Sequence, residues 1–113
     1  MVSLSEDFRK RFEPGTAPIE IRIAALKALH DAGCKTWVSI EPYPTPNIIE
    51  QDISLILQAI SFVDRIIFGR MNYNKEITNY KMRKEFFNTS AEAVISFCKR
   101  NYIDYHIKNG TIT

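Results

Sequence analysis

Cysteine is scarce in this chain: Cys34 and Cys98 stand far apart and are the only two. Neither belongs to a close-spaced pair, which excludes the common zinc-finger and dithiol redox motifs. Both residues fit the pattern of small, reduced core cysteines in a cytosolic protein. The sequence therefore predicts a cytoplasmic protein without structural disulfides.

Targeting signals, long apolar runs and an excess of one charge are also missing. The start, Met-Val-Ser-Leu-Ser-Glu-Asp, has neither a basic region nor an apolar run, so no signal peptide is predicted. No window approaches the roughly 18 apolar residues of a membrane span. With 15 basic and 13 acidic residues, the net charge of +2 does not support nucleic-acid binding. No Gly-x-Gly-x-x-Gly or P-loop fingerprint for nucleotides is present either.

The 113 residues, 45% of them hydrophobic, suffice for one domain with a core, spanning residues 1–113. Residues 36–46 read Thr-Trp-Val-Ser-Ile-Glu-Pro-Tyr-Pro-Thr-Pro. The first half alternates as a strand does, and the prolines predict that the strand ends at Glu41. A carboxylate at the carboxyl end of a strand is placed where α/β folds build their sites.

The rest of the chain alternates between strand and helix patterns. Strands are predicted at residues 1–5, 36–41, 65–68 and 104–107. Helices are predicted at residues 18–32, from Asn47 with Glu50 as a capping pair, over residues 81–87, and after a Thr89–Glu92 capping box. The order β-α-β-α-β-α-β implies a parallel sheet with helical crossovers. It amounts to about half of a TIM-type barrel, with an open doubly wound sheet as the other possibility.

Polar residues share one face of several predicted strands. This pattern favours a sheet whose polar face lines a site, and the alternative is a sheet whose polar face simply lies in solvent. Glu41 can act as a base, a metal ligand or an acceptor for ligand hydroxyls, although loop glutamates are mostly just solvated. His106 can titrate near neutrality but lacks a placed partner. Arg70 can hold an anion or cap a helix. Trp37 can stack on a planar ligand or pack at a rim.

Three motifs in order resemble a known family. They are Glu-Pro-Gly-Thr-Ala-Pro at residues 13–18, Trp-Val-Ser-Ile-Glu-Pro-Tyr-Pro-Thr-Pro at residues 37–46, and Phe-Val-Asp-Arg-Ile-Ile-Phe-Gly-Arg-Met-Asn-Tyr-Asn at residues 62–74. Together they resemble the C-terminal half of radical S-adenosylmethionine proteins of the spore photoproduct lyase-like group, often called DNA repair photolyases. The resemblance implies a partial (β/α)6 barrel, and it covers nearly the whole chain.

The resemblance also implies site residues at the ends of the barrel strands. The residues expected to face S-adenosylmethionine are Ser3, Ser5, Ser39, Glu41, Arg70 and Asn72. The family holds a [4Fe-4S] cluster on a Cys-x-x-x-Cys-x-x-Cys loop, and this chain lacks that motif. The cluster is therefore not expected on this chain, and the chain alone is expected to be inactive.

Three hypotheses follow for the function. The chain is the C-terminal half of a radical S-adenosylmethionine barrel, with an N-terminal barrel half as its partner. Alternatively, it is a stand-alone binding or assembly module without chemistry, for which a homodimer is expected because an edge strand at residues 1–5 would seek a partner. The third hypothesis is a small α/β enzyme that uses Glu41 and His106.

Overall fold

A computed structural model describes residues 1–71 and 79–113. The helices are α1 (Glu6–Phe12), α2 (Ile19–Asp31), α3 (Ile53–Ala59) and α4 (Arg83–Arg100). The strands are β1 (Trp37–Tyr43), β2 (Arg65–Arg70) and β3 (Asp104–Ile107).

The strands of the described residues form one parallel sheet in the order β1-β2-β3, which is also their order along the chain. Helix α3 joins β1 to β2, and α4 lies between β2 and β3 in the sequence. The predicted α/β class with a parallel sheet is therefore confirmed, with strand β3 at the predicted residues. In the part of the chain that the structure describes, the sheet is open and has three strands instead of the four predicted.

The core lies on one face of this sheet. The side chains of Val38, Ile40, Ile66 and Phe68 are at most 7% exposed, and alternation along the strands places them together. They pack in one cluster with buried residues of α3 and α4: Ile56, Leu57, Phe87, Ala91, Val94 and Cys98. Helices α3 and α4 contact each other as well. Both helices therefore cover the same face of the sheet.

Helix α2 confirms the prediction for residues 18–32 to within one residue at each end. Its first N–H group, on Ile19, donates to Oε1 of Glu6 at 2.8 Å. This hydrogen bond is the main cause that lowers the pKa of Glu6, and the guanidinium of Arg9 adds to it. Gly33 follows the helix at φ 90°, a left-handed conformation that glycine adopts without strain.

The helix predicted to begin at Asn47 begins later, at Ile53. Asp52 caps it, because its Oδ1 accepts from the N–H of Ser54 at 2.9 Å. Asn47 instead lies in a turn, where its side chain accepts a hydrogen bond from the hydroxyl of Thr45. Asn47 and Asp52 are both residue types that cap helices, so the sequence pattern alone does not predict which of them begins the helix.

The prediction of two helices near residues 81–100 is wrong, since α4 runs without a break from Arg83 to Arg100. Thr89 lies in its interior instead of capping a new helix. No glycine or proline interrupts this stretch, and burial of Phe87 and Val94 on one side holds the helix continuous.

The strand predicted at residues 1–5 is not present, and this segment has no regular secondary structure. The amino nitrogen of Met1 donates to the carbonyl of Ser39 at 2.7 Å, so the segment begins beside β1. The chain then bends, because the hydroxyl of Ser3 accepts from the N–H of Ser5, whose own hydroxyl caps α1 at Phe8. Serines that bond to nearby backbone in this way compete with a strand ladder.

Strand β1 extends to Tyr43, beyond its predicted end at Glu41. The pairing with β2 shifts between Ile40 and Tyr43, and Pro42 is exposed inside this irregular stretch. Pro42 is therefore tolerated, because the regular ladder is already interrupted where it lies.

The turn between α4 and β3 contains an unfavourable residue. Tyr102 has φ 56° and is 97% exposed, and the following N–H, on Ile103, donates to the carbonyl of Cys98 at 2.9 Å. This is the helix-ending geometry that favours glycine.

We expect Tyr102→Gly to raise the free energy of unfolding by about 0.5–1 kcal/mol, because it removes a left-handed non-glycine residue. Urea denaturation measures the change. Tyr102→Ala is the matched control, since it removes the ring but keeps the backbone restriction. Equal stabilisation by both variants would contradict the backbone explanation.

Candidate functional site on the open face of the sheet

The face of the sheet opposite α3 and α4 carries the candidate site, and we call it the open face. Its residues form three rows across the strands. The amino row is Trp37, Arg65 and Asp104; the middle row is Ser39, Ile67 and His106; the carboxyl row is Glu41, Gly69 and Lys108. Trp37 is 60% exposed, which shows how little of the amino row is covered.

The carboxyl row is held together by an ion pair that crosses the middle strand. The Nζ atom of Lys108 lies 3.4 Å from Oε1 of Glu41. A Cβ atom on Gly69 would lie 3.0 Å from Oε2 of Glu41 and 3.1 Å from Cγ of Lys108. Gly69 therefore lets both side chains pass over β2, and a larger residue would push them apart.

Ser39 lies next to Glu41 on the same strand face. Its Oγ atom is buried and has no hydrogen-bond partner among the residues that the structure describes. A buried hydroxyl without a partner costs free energy and is rare in native structures. Its presence here therefore favours a site in which a ligand pairs with it. A cavity of about 260 Å³ reaches Ser39 from the side of α2, with Arg22, Leu26 and Trp37 in its lining.

The amino row carries a second ion pair. The Nε atom of Arg65 lies 3.5 Å from Oδ2 of Asp104, and both side chains are about half exposed or more. The open face therefore presents one positive and one negative side chain at each end, with a half-buried Ile67 and an exposed His106 between them.

Other titratable groups with displaced pKa values serve the fold. The N–H of Thr36 donates to Oδ2 of Asp64 at 2.7 Å and lowers the pKa of that carboxyl. His30 lies 3.8 Å from the same oxygen. This contact ties α2 to the loop before β2, away from the carboxyl row.

The structure brings Ser39 and Glu41 together on the open face, whereas Arg70, Ser3 and Ser5 make other contacts. Arg70 lies on the opposite face, with its Cζ atom 5.9 Å from the ring centroid of Phe87 in α4. The hydroxyls of Ser3 and Ser5 are engaged in the bend and the helix cap described above. Asn72 lies outside the described residues.

Lys108 is the site residue that sequence reasoning did not assign. Asp104, His106 and Lys108 alternate along the chain, which places Lys108 on the polar side, but it follows the last strand and the pattern gives it no partner. Its pairing with Glu41 depends on the strand order and on Gly69, neither of which is visible in the local pattern.

Within residues 1–71 and 79–113, no cluster of three or more histidine, cysteine or acidic side chains is placed to hold a metal ion. No helix in the same part of the chain is long and apolar enough to cross a membrane.

The fold and the site together define an α/β protein with a parallel open sheet and a polar face that α3 and α4 do not cover. No protein-family model, curated protein or solved structure matches the chain.

Proposed function

We propose that this chain is the C-terminal sector of a radical S-adenosylmethionine-like barrel, in which the open face lines the interior. The observation that carries the proposal is the arrangement of the layers. Parallel strands follow one another in sequence order, helices α3 and α4 cover one face, and polar side chains occupy the other.

This arrangement favours a barrel sector over a doubly wound sheet. A doubly wound sheet places helices on both faces and changes strand order at a switch point. A barrel keeps the strands in order, places every helix outside and directs alternate side chains inward. The open face would then correspond to the inward side, and its carboxyl row to the end where barrel sites lie.

The carboxyl row offers groups suited to S-adenosylmethionine. The cofactor carries ribose hydroxyls, an ammonium and a carboxylate. Glu41 would accept hydrogen bonds from hydroxyl or ammonium groups, Lys108 would balance a carboxylate, and the buried hydroxyl of Ser39 would gain a partner. The residues present therefore fit a binding role.

The iron–sulfur cluster of the family does not fit this chain. Cluster ligation needs a set of thiolates on one loop, and the sequence has two separate cysteines. Cys98 is buried in the core, while Cys34 is exposed after α2. Reductive cleavage of the cofactor would therefore depend on cysteines supplied by a partner, such as an N-terminal barrel half.

A second function, a binding or assembly module without chemistry, is favoured by the balance of charge on the open face. Glu41 and Arg65 both have an opposite charge beside them, and Trp37 is exposed at the edge of the same surface. Paired charges around an exposed aromatic residue suit a protein partner as well as a small ligand.

Calorimetry tests the first function. We expect S-adenosylmethionine to bind the chain with a dissociation constant of about 0.1–1 mM, because only part of a barrel site is present. Glu41→Gln should weaken binding about tenfold, since a hydrogen bond to a charged acceptor is lost.

Glu92→Gln, at an exposed position of α4, is the matched control and should leave binding unchanged. The absence of heat at millimolar ligand, or equal weakening by both variants, would contradict a cofactor role for the open face.

A further inference from the structure

We propose that a second copy of this chain covers the open face. The two sheets stack face to face about a two-fold axis. The axis lies midway between the sheets and parallel to their planes, runs perpendicular to the strands and passes over the middle row. This inference does not depend on the proposed cofactor role, because it uses only the charges and shape of the open face.

The open face needs a cover for a physical reason. Parallel sheets occur almost only with both faces covered, and here α3 and α4 cover one. The other face leaves Trp37 60% exposed beside a half-buried Ile67. Exposed tryptophan is enriched among residues that dominate the energy of protein interfaces.

The three rows make this face complementary to itself. The proposed axis turns the middle row onto its own copy and the amino row onto the carboxyl row of the second copy. Asp104 then faces Lys108 of the second copy, and the symmetry repeats this contact. Arg65 faces Gly69 of the second copy, where the carboxylate of Glu41 lies over the glycine.

The charges also select this axis over the other two-fold arrangement of stacked sheets. An axis parallel to β2 would place Arg65 on its own copy in the middle of the interface, which is unfavourable. The perpendicular axis opposes no two side chains of like formal charge. Packed sheets lie about 10 Å apart, a distance that lysine, arginine and carboxylate side chains span from both sides.

The size of the face sets the expected affinity. A face three strands wide is small beside the roughly 800 Å² per partner of a standard interface. We therefore expect a dissociation constant of about 1–100 µM. The chain should be mostly dimeric at several hundred micromolar and mostly monomeric well below one micromolar.

Analytical ultracentrifugation over this concentration range tests the proposal with two charge reversals. Asp104→Lys and Lys108→Asp should each weaken the dimer at least about tenfold, because each places like charges opposite one another at both symmetric contacts. An equimolar mixture of the two variants should restore the dimer. In the mixed dimer, the introduced lysine faces the introduced aspartate, and the native Lys108 faces the native Asp104.

Two matched controls separate this surface from others. Glu92→Lys reverses a charge on the exposed side of α4, and Ile21→Lys places a charge on the exposed outer side of α2. Neither should change the dissociation constant. Circular dichroism and thermal melting check that the charge reversals leave the fold intact, and restoration on mixing shows it independently.

Three results would overturn the proposal. The first is a wild-type monomer of 13.1 kDa at every concentration. The second is a dimer that both charge reversals leave intact or that Ile21→Lys abolishes. The third is a mixture of the two folded variants that remains monomeric. Because the dimer would cover Glu41 and Lys108, calorimetry with S-adenosylmethionine is done on the monomeric Asp104→Lys variant, which keeps both residues. An absence of heat there contradicts the cofactor role and leaves the dimer standing, whereas a wild-type monomer contradicts the dimer and leaves cofactor binding standing.

Discussion

Replacing Phe68 with alanine should lower the free energy of unfolding by about 3–5 kcal/mol. Phe68 is fully buried in β2, the strand between the other two, and its ring lies 5.3 Å from that of Tyr43. The substitution removes a large apolar side chain from the centre of the core and leaves a cavity. Because small domains have about 5–15 kcal/mol of stability, this is a large share of the total.

Chemical denaturation monitored by circular dichroism measures this loss. Phe12→Ala is the matched control: Phe12 stacks on Phe8 with ring centroids 4.6 Å apart but is 37% exposed. The control should cost clearly less, since less apolar surface leaves a buried environment. A loss below 1 kcal/mol for Phe68→Ala would mean that the packing of α3 and α4 on the sheet is not as described.

Alkaline conditions should destabilise the fold through two buried groups. Burial raises the pKa of Tyr43 from 10.0 to about 12, and raises the pKa of the Cys98 thiol from 9.0 to about 11. In both cases the folded state disfavours the anion. The full stability is therefore present below the ordinary pKa of the unfolded chain, near 9 and 10. It falls as the pH rises through the folded pKa values, by about 3 kcal/mol for each group.

Unfolding free energies measured from pH 8 to 12 test this expectation. Tyr43→Phe should remove the part of the decline between pH 10 and 12, and Cys98→Ala should remove the part between pH 9 and 11. Tyr102→Phe and Cys34→Ala are matched controls, because both side chains are exposed. A pH profile that the core substitutions leave as steep as in the wild type would contradict the assignment to these two groups.

The alternation of helix and strand was readable from the sequence because it depends on local hydrophobic periodicity. The helix at α2 and the strand pattern of β2 and β3 show this, and the parallel sheet follows from the crossovers. Positions that depend on competition between similar local signals were not readable. Asn47 and Asp52 are equally suited to cap a helix, and the structure uses Asp52, while Asn47 bonds to Thr45 in a turn.

The segment at residues 1–5 shows a second limit. Val2 is buried, as a strand residue would be, but the serines at positions 3 and 5 turn the chain into α1. The alternation of apolar and polar residues is compatible with a strand and also with the observed bend into α1. The choice between them depends on local hydrogen bonds from serine side chains to nearby backbone groups, which the periodicity does not reveal.

Part of the candidate site was predictable from the sequence. Ser39 and Glu41 share a strand face by alternation alone, so their proximity was predictable. Their neighbours on the open face depend on strand order, which joins Glu41 to Lys108 across Gly69. Arg70 lies on the face that α4 covers, as alternation from Phe68 along β2 indicates.

The central position of β2 has a consequence for how the fold opens locally. Among the described strands, only β2 has a neighbour on each side, while β3 contributes four residues and pairs with β2 alone. Strand β3 can therefore detach in a partial opening that leaves the β1–β2 pair intact, whereas β2 is freed only when the whole sheet separates. In β2 the amide of Arg65 donates toward β1, whereas the carbonyl of Phe68 accepts from Lys108 on the side of β3, so alternate residues bond to opposite neighbours. The amide of Ile67, which points toward β1, should accordingly exchange with solvent last, and the β1–β2 pair sets the cooperative limit of the domain.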